Sequence, residues 1–171
     1  MKKQTLLQIQ VKNLPEDGMP VHGGLTAADL DIPEDDRTCL PEPILLELHV
    51  TPVVGGVVSA GRAEVKIRCR CDRCLGYFTS ELPPVRLDHQ YPGFQGDVLD
   101  LTEDVRDDIL LAFPSRCLCR AECKGLCPDC GQNLNARECD CRSEASDESP
   151  WAGLDKIRLH DGGEASEEAE K

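Results

Sequence analysis

Eleven cysteines in 171 residues are the side chains of this sequence best able to do chemistry. The densest run is CKGLCPDCGQNLNARECDC, residues 123–141. Its centre, Cys127-Pro128-Asp129-Cys130-Gly131, has the two-residue gap that lets both thiolates of a tight turn reach one tetrahedral metal. Pro128 stiffens the turn, and Gly131 can take the positive φ that follows. Cys139 and Cys141 supply a second arm, with Asn133-Leu134-Asn135 turning the chain between them. The preferred ligand set is therefore Cys127, Cys130, Cys139 and Cys141. Cys123 is a substitute for one of them, because ligands one residue apart are geometrically tight. Four thiolates with no open position describe a structural zinc ion and argue against hydrolytic zinc. Iron would need a second knuckle of the same CPxCG form.

A further pair, Cys71 and Cys74, brackets Asp72-Arg73. Cys-x-x-Cys serves both zinc knuckles and redox dithiols. A thiol oxidoreductase using this pair is one reading, and a reduced turn is another. Metal binding with a second pair is a third, since Cys117 and Cys119 are available. Cys39 reads as incidental and Cys69 as a core residue. Histidines 22, 49, 89 and 160 are scattered, with none beside a candidate nucleophile. There is no phosphate-binding glycine loop and no GxSxG or HExxH motif.

These residues need elements to position them. Residues 5–12 and 44–51 alternate as strands, and Gly55-Gly56 marks a tight turn. Residues 57–71 give the clearest strand. Ala63, Val65, Ile67, Cys69 and Cys71 fall on one side, and Arg62, Glu64, Lys66, Arg68 and Arg70 on the other. Gly61 offers a place for a bulge. Strands over residues 75–82 and 85–91 continue the meander, interrupted by Pro83-Pro84. Residues 19–42, rich in Pro and Asp, read as an irregular connection with a helical turn near Thr26. Residues 100–113 read as a helix, with Asp100 and Glu103 as a capping box and Leu101, Val105, Ile109 and Ala112 as its apolar stripe. A polar linker over 143–149, a short helix over 150–157 and an acidic tail from Asp161 complete the chain.

The fold class expected is α+β. It comprises a small antiparallel sheet or partly open barrel, one main helix and a C-terminal Cys-rich zinc knuckle. The domains expected are residues 1–114 for the sheet and helix, and 115–142 for the knuckle. Residues 143–160 follow as linker and short helix, and 161–171 as tail. No run approaches the length of a membrane span, so a soluble, cytoplasmic protein is expected. Metal or redox chemistry then explains the thiols better than disulfides do.

The formal net charge of −13 excludes coating of nucleic acid by bulk electrostatics. The acid is concentrated in residues 29–42 and 97–108. The strand face carrying Arg62, Lys66, Arg68 and Arg70, continued by Arg73, is the candidate surface for RNA or a protein partner. A single such row is more often a solvated sheet face.

Two separated motifs carry a family resemblance. GRAEVKIRCRCDRCLGYF resembles the strand-end signature of the YceD family, through Gly61, Val65, Cys71, Arg73, Cys74, Leu75 and Phe78. The CKGLCPDCG core, the helix DLTEDVRDDILLAFP and the closing PWAGLDKI are similar to segments of the same family. This sequence departs from it in the four residues 136–139 and at Glu148-Ser149-Pro150-Trp151. The resemblance spans residues 44–159. It implies a non-enzymatic role in accumulation or processing of large-subunit (23S) ribosomal RNA. The partners implied are that RNA, a large-subunit ribosomal protein or a pre-ribosomal particle, with no small-molecule substrate. It also implies that the two cysteine motifs need not share one metal. A zinc-braced adaptor that captures basic proteins is the alternative.

Overall fold

A computed structural model describes residues 6–141 of the chain. The linker, short helix and tail expected beyond them lie outside the described residues. The chain divides into a unit Met1–Cys139 and a second from Asp140 onward. The first unit includes the Cys-rich segment up to Cys139 as well as the sheets.

Among the described residues, ten strands and one α-helix follow in order. They are β1 (Gln8–Gln10), β2 (Met19–Leu25), β3 (Thr38–Cys39), β4 (Ile44–Val53), β5 (Gly56–Glu64), β6 (Lys66–Arg70), β7 (Tyr77–Glu81), β8 (Val85–Arg86), β9 (His89–Pro92), β10 (Val98–Asp100) and α1 (Thr102–Leu111). All pairings are antiparallel. The main sheet runs β2-β4-β5-β8, with β9 also on β5. A second sheet runs β3-β6-β7, and β1 pairs β10. The sheets are open, and none closes into a barrel among the described residues.

β4 and β5 form a long hairpin around a Val54-Gly55 turn, one residue before the turn expected at Gly55-Gly56, with Gly55 at φ +84°. Alternation places Ile44, Leu46, Leu48 and Val50 of β4 in the core, facing Val57 and Ala63 of β5. Leu101 at the N-cap of α1, with Val105 and Ile109 within it, closes that core, as the stripe predicts, while Ala112 is half-buried.

Four expectations are corrected. Residues 19–42 are not wholly irregular: β2 pairs β4 over seven positions, burying Val21 and Leu25. Pro20 is tolerated because β2 is an edge strand, where a missing N–H costs no ladder bond. The helical turn is there too, as a 3-10 turn Ala27–Leu30 closed by a Thr26–Asp29 capping box. The strand expected over 57–71 is two strands, β5 and β6, in different sheets. From Ala63 opposite Val85 to Lys66 opposite Glu81, one side advances three residues and the other four. The extra residue falls at Pro83-Pro84, which cannot donate to a ladder, and such an insertion bends the pair.

Gly61 is not a bulge, since the β4–β5 register runs through it unbroken. A Cβ there would lie 2.1 Å from the Glu47 carbonyl oxygen, so glycine is needed for strand approach. Gly61→Ala is expected to cost about 2 kcal/mol, read as a lower denaturant midpoint with an unchanged slope. At the helix start, Asp100 accepts from the Thr102 amide at 3.0 Å, but the N-cap position is Leu101 and forms no capping box.

Candidate metal centres and the exposed face beside them

β6 runs straight into the first Cys-x-x-Cys turn. The Leu75 amide donates to the Cys71 carbonyl at 2.9 Å, and the Cys71 amide to the Gly76 carbonyl at 2.9 Å. The turn at Cys127 repeats this device: Gly131 donates to the Cys127 carbonyl at 2.9 Å, and Cys127 to the Gln132 carbonyl at 2.8 Å. Each turn ends in a left-handed residue, Leu75 at φ +58° and Gly131 at φ +72°. The two cysteine motifs are thus the same knuckle built twice.

The middle residues of the first knuckle bind the downstream segment. The Asp72 carboxylate accepts from the Cys117 amide at 2.8 Å, and the Asp72 amide donates to the Cys117 carbonyl at 2.8 Å. Arg73 Nη1 donates to the carbonyls of Cys123 at 3.0 Å and Ala121 at 3.3 Å. The Leu126 amide donates to the Arg73 carbonyl at 3.2 Å. Asn135 Nδ2 reaches the Cys123 sulfur at 3.3 Å, while its Oδ1 accepts from the Lys124 amide at 2.9 Å. Sequence reading gave Asp72 and Asn135 only turn roles, and nothing in their local spacing reveals these contacts.

The result is a four-cysteine group of Cys71, Cys74, Cys119 and Cys123. Cys71 Sγ lies 3.9 Å from Cys123 Sγ, and Cys74 Sγ lies 3.8 Å from Cys119 Sγ. Metal–sulfur bonds of about 2.3 Å in a tetrahedron put sulfurs about 3.8 Å apart, so the donor set fits a metal ion. Disulfides, at about 2.05 Å, do not fit. Cys127, Cys130 and Cys139 form a second group with ligand atoms within 4.8 Å of one another, while Cys141, the fourth ligand expected, belongs to the second unit. Two groups could therefore each hold an ion. Cys123, expected as a substitute ligand with Cys127, lies in the first group instead. Of the pair offered to Cys71 and Cys74, the structure brings in Cys119 and leaves Cys117 buried outside both groups.

Proton affinities divide within the first group. Burial acts to raise the Cys71 thiol, but hydrogen bonds from the backbone of Cys74, Cys119 and Arg73 outweigh it and bring it to about 6. Cys123 is also lowered: desolvation opposes, and hydrogen bonds from Asn135 and the Gly125 backbone prevail. Cys119 is pushed up to about 12 by desolvation and by its sulfur neighbours Cys123, Cys71 and Cys74. In the second knuckle, the backbone of Cys130 and Asp129 lowers Cys127 to about 7. Four crowded sulfurs share protons unless a cation lies between them.

The expected basic face is divided by its partners. Arg62 pairs with Glu47 at 2.7 Å, and Lys66 with Glu42 at 2.9 Å and Glu81 at 3.7 Å. Arg73 is engaged with the downstream carbonyls. Arg68 and Arg70 have no ion-pair partner among the described residues. The Arg68 guanidinium lies 4.9 Å from the centre of the Tyr77 ring, and Tyr77 is 55% exposed. Tyr77 stands directly across from Arg70. The Arg70 amide also bonds to the Arg37 carbonyl at 2.8 Å, which brings Arg37 into the same row.

These features define a class: an antiparallel β protein whose strand-end knuckle is tied to a downstream knuckle segment through clustered thiols. Residues 80–158 match the family described as "Large ribosomal RNA subunit accumulation protein YceD", and the chain is similar to that family over this stretch. It is similar to "Large ribosomal RNA subunit accumulation protein YCED homolog 1, chloroplastic" from Arabidopsis thaliana, at 41% identity over 49 residues. That match covers 29% of this chain and 15% of the relative, so the chain spans a small part of the relative's length. No solved structure matches. Among the described residues, no helix is long and apolar enough to cross a membrane.

Proposed function

We propose that this chain is a non-enzymatic cytoplasmic factor that supports accumulation of large-subunit (23S) ribosomal RNA, and that it contacts unpaired RNA through the exposed face of β3-β6-β7. Two structural zinc ions, one per cysteine group, brace that face. The observation that carries the reading is the Arg68–Tyr77 stack beside Arg70, immediately before the first knuckle. An exposed aromatic ring offers a surface for an unstacked base, and unpaired arginines offer charge to phosphate. With a net charge of −13, binding has to be local, which a single row of arginines provides.

The family description supports the ribosomal RNA part of this reading. The burial of Cys71 and its place among four sulfurs weigh against an oxidoreductase, whose attacking thiol must be accessible. The test is charge reversal of Arg68 and Arg70 to Glu in a cell that depends on the protein. Large-subunit ribosomal RNA is expected to fall relative to the small-subunit species. Lys12→Glu, at a residue paired with Asp97 on another part of the surface, serves as the control and leaves it unchanged. Normal large-subunit RNA with both arginines reversed would refute the assignment of this face.

A further inference from the structure

A second surface has the opposite chemistry. Where β4 and β5 of the main sheet meet β6 and β7 of the smaller one, the bend opens a groove of about 410 Å³. Leu45 and Leu82 form its apolar wall, and Leu45 is 55% exposed. Glu42, Glu64 and Glu81 rim it. The sole cation of the lining is Lys66, whose ammonium lies 2.9 Å from Glu42 and 3.7 Å from Glu81. Three carboxylates against one ammonium leave the groove with excess negative charge, and Glu64 makes no ion pair among the described residues. Such a rim repels phosphate and attracts cations.

We propose that this groove docks an extended, lysine- and arginine-rich segment of a protein partner. An aliphatic side chain of the segment packs on Leu45 and Leu82, and its cations meet Glu42, Glu64 and Glu81. Lys66 is the internal stand-in for one of those cations and competes with the incoming segment. This goes beyond the RNA reading and uses different residues, so either can fail without the other.

Competition gives an unusual sign. With full-length, metal-loaded protein and a fluorescein-labelled peptide KVKLRK, anisotropy titration at about 50 mM salt is expected to show Lys66→Met binding more tightly than the unaltered protein. The gain is about five-fold, the worth of one exposed ion pair. Leu45→Ser is expected to weaken the peptide, and KGKGRK, with the same charge and no aliphatic side chains, to bind less well than KVKLRK. The proposal is overturned if KVKLRK binds neither protein, if Lys66→Met leaves its affinity unchanged or lowers it, or if KGKGRK binds equally. A parallel titration with a single-stranded RNA decamer settles the rival: if Lys66→Met weakens RNA and does not strengthen the peptide, the groove belongs to the RNA face.

Discussion

Cys123→Ser is expected to reduce the metal content of the purified protein from two ions per chain to one, and to loosen the segment from Cys117 to Leu126. Cys123 sits in the group that joins the end of β6 to that segment, so losing one sulfur opens the closed site. Closed tetrathiolate sites supply folding free energy outright, about 10–16 kcal/mol of apparent zinc affinity in isolated zinc-finger peptides. Only part of this is lost here, because Asp72 and Arg73 still hold the segment. Faster amide exchange at Cys117 and Leu126, together with elemental analysis, would report the change. Cys117→Ser is the paired control: that thiol is buried but belongs to neither group, so both ions should remain. If Cys117→Ser lost an ion and Cys119→Ser did not, the ligand assignment would be wrong.

The second large effect is expected from Ile67→Ala. Ile67 is the second residue of β6 and has no exposed surface, and it points away from the face that carries Arg68. Truncating a fully buried isoleucine removes transfer energy and leaves a cavity, together about 2–5 kcal/mol. That is a large share of the stability of a domain this size, about 5–15 kcal/mol. Chemical denaturation should show a markedly lower midpoint. Arg68→Ala, on the opposite face of the same strand, should change stability by less than about 1 kcal/mol. Equal destabilisation by both would mean that β6 is not packed as described.

The side-chain alternation of β6 could be read from the sequence because a period of two is local. Ala63, Val65, Ile67 and Cys69 are all buried, as that pattern requires. The break at Val65 could not be read, because its cause lies on the other strand at Pro83-Pro84. β2 escaped for a similar reason: Pro20, Gly23 and Gly24 blur its pattern, and its partner β4 supplies the order. Among the cysteines, the spacing of three residues recurs between Cys119 and Cys123 and between Cys123 and Cys127. Spacing therefore cannot say which neighbour Cys123 joins. The end of β6 decides it, by bringing two thiols from far upstream. The basic row was legible as a row. Which of its members were neutralised was not, because Glu42 and Glu47 come from other parts of the chain.

The joining of distant thiols also sets an order of events during synthesis. Cys74 precedes Cys119 by 45 positions, and Cys71 precedes Cys123 by 52. As the chain leaves the ribosome, the first knuckle emerges with only its own two sulfurs. β7, β8, β9, β10 and α1 must all be translated before the other two arrive. An ion held by all four ligands at this site would therefore be captured in a late, vectorial step. It would seal the sheet only after all ten described strands had been made.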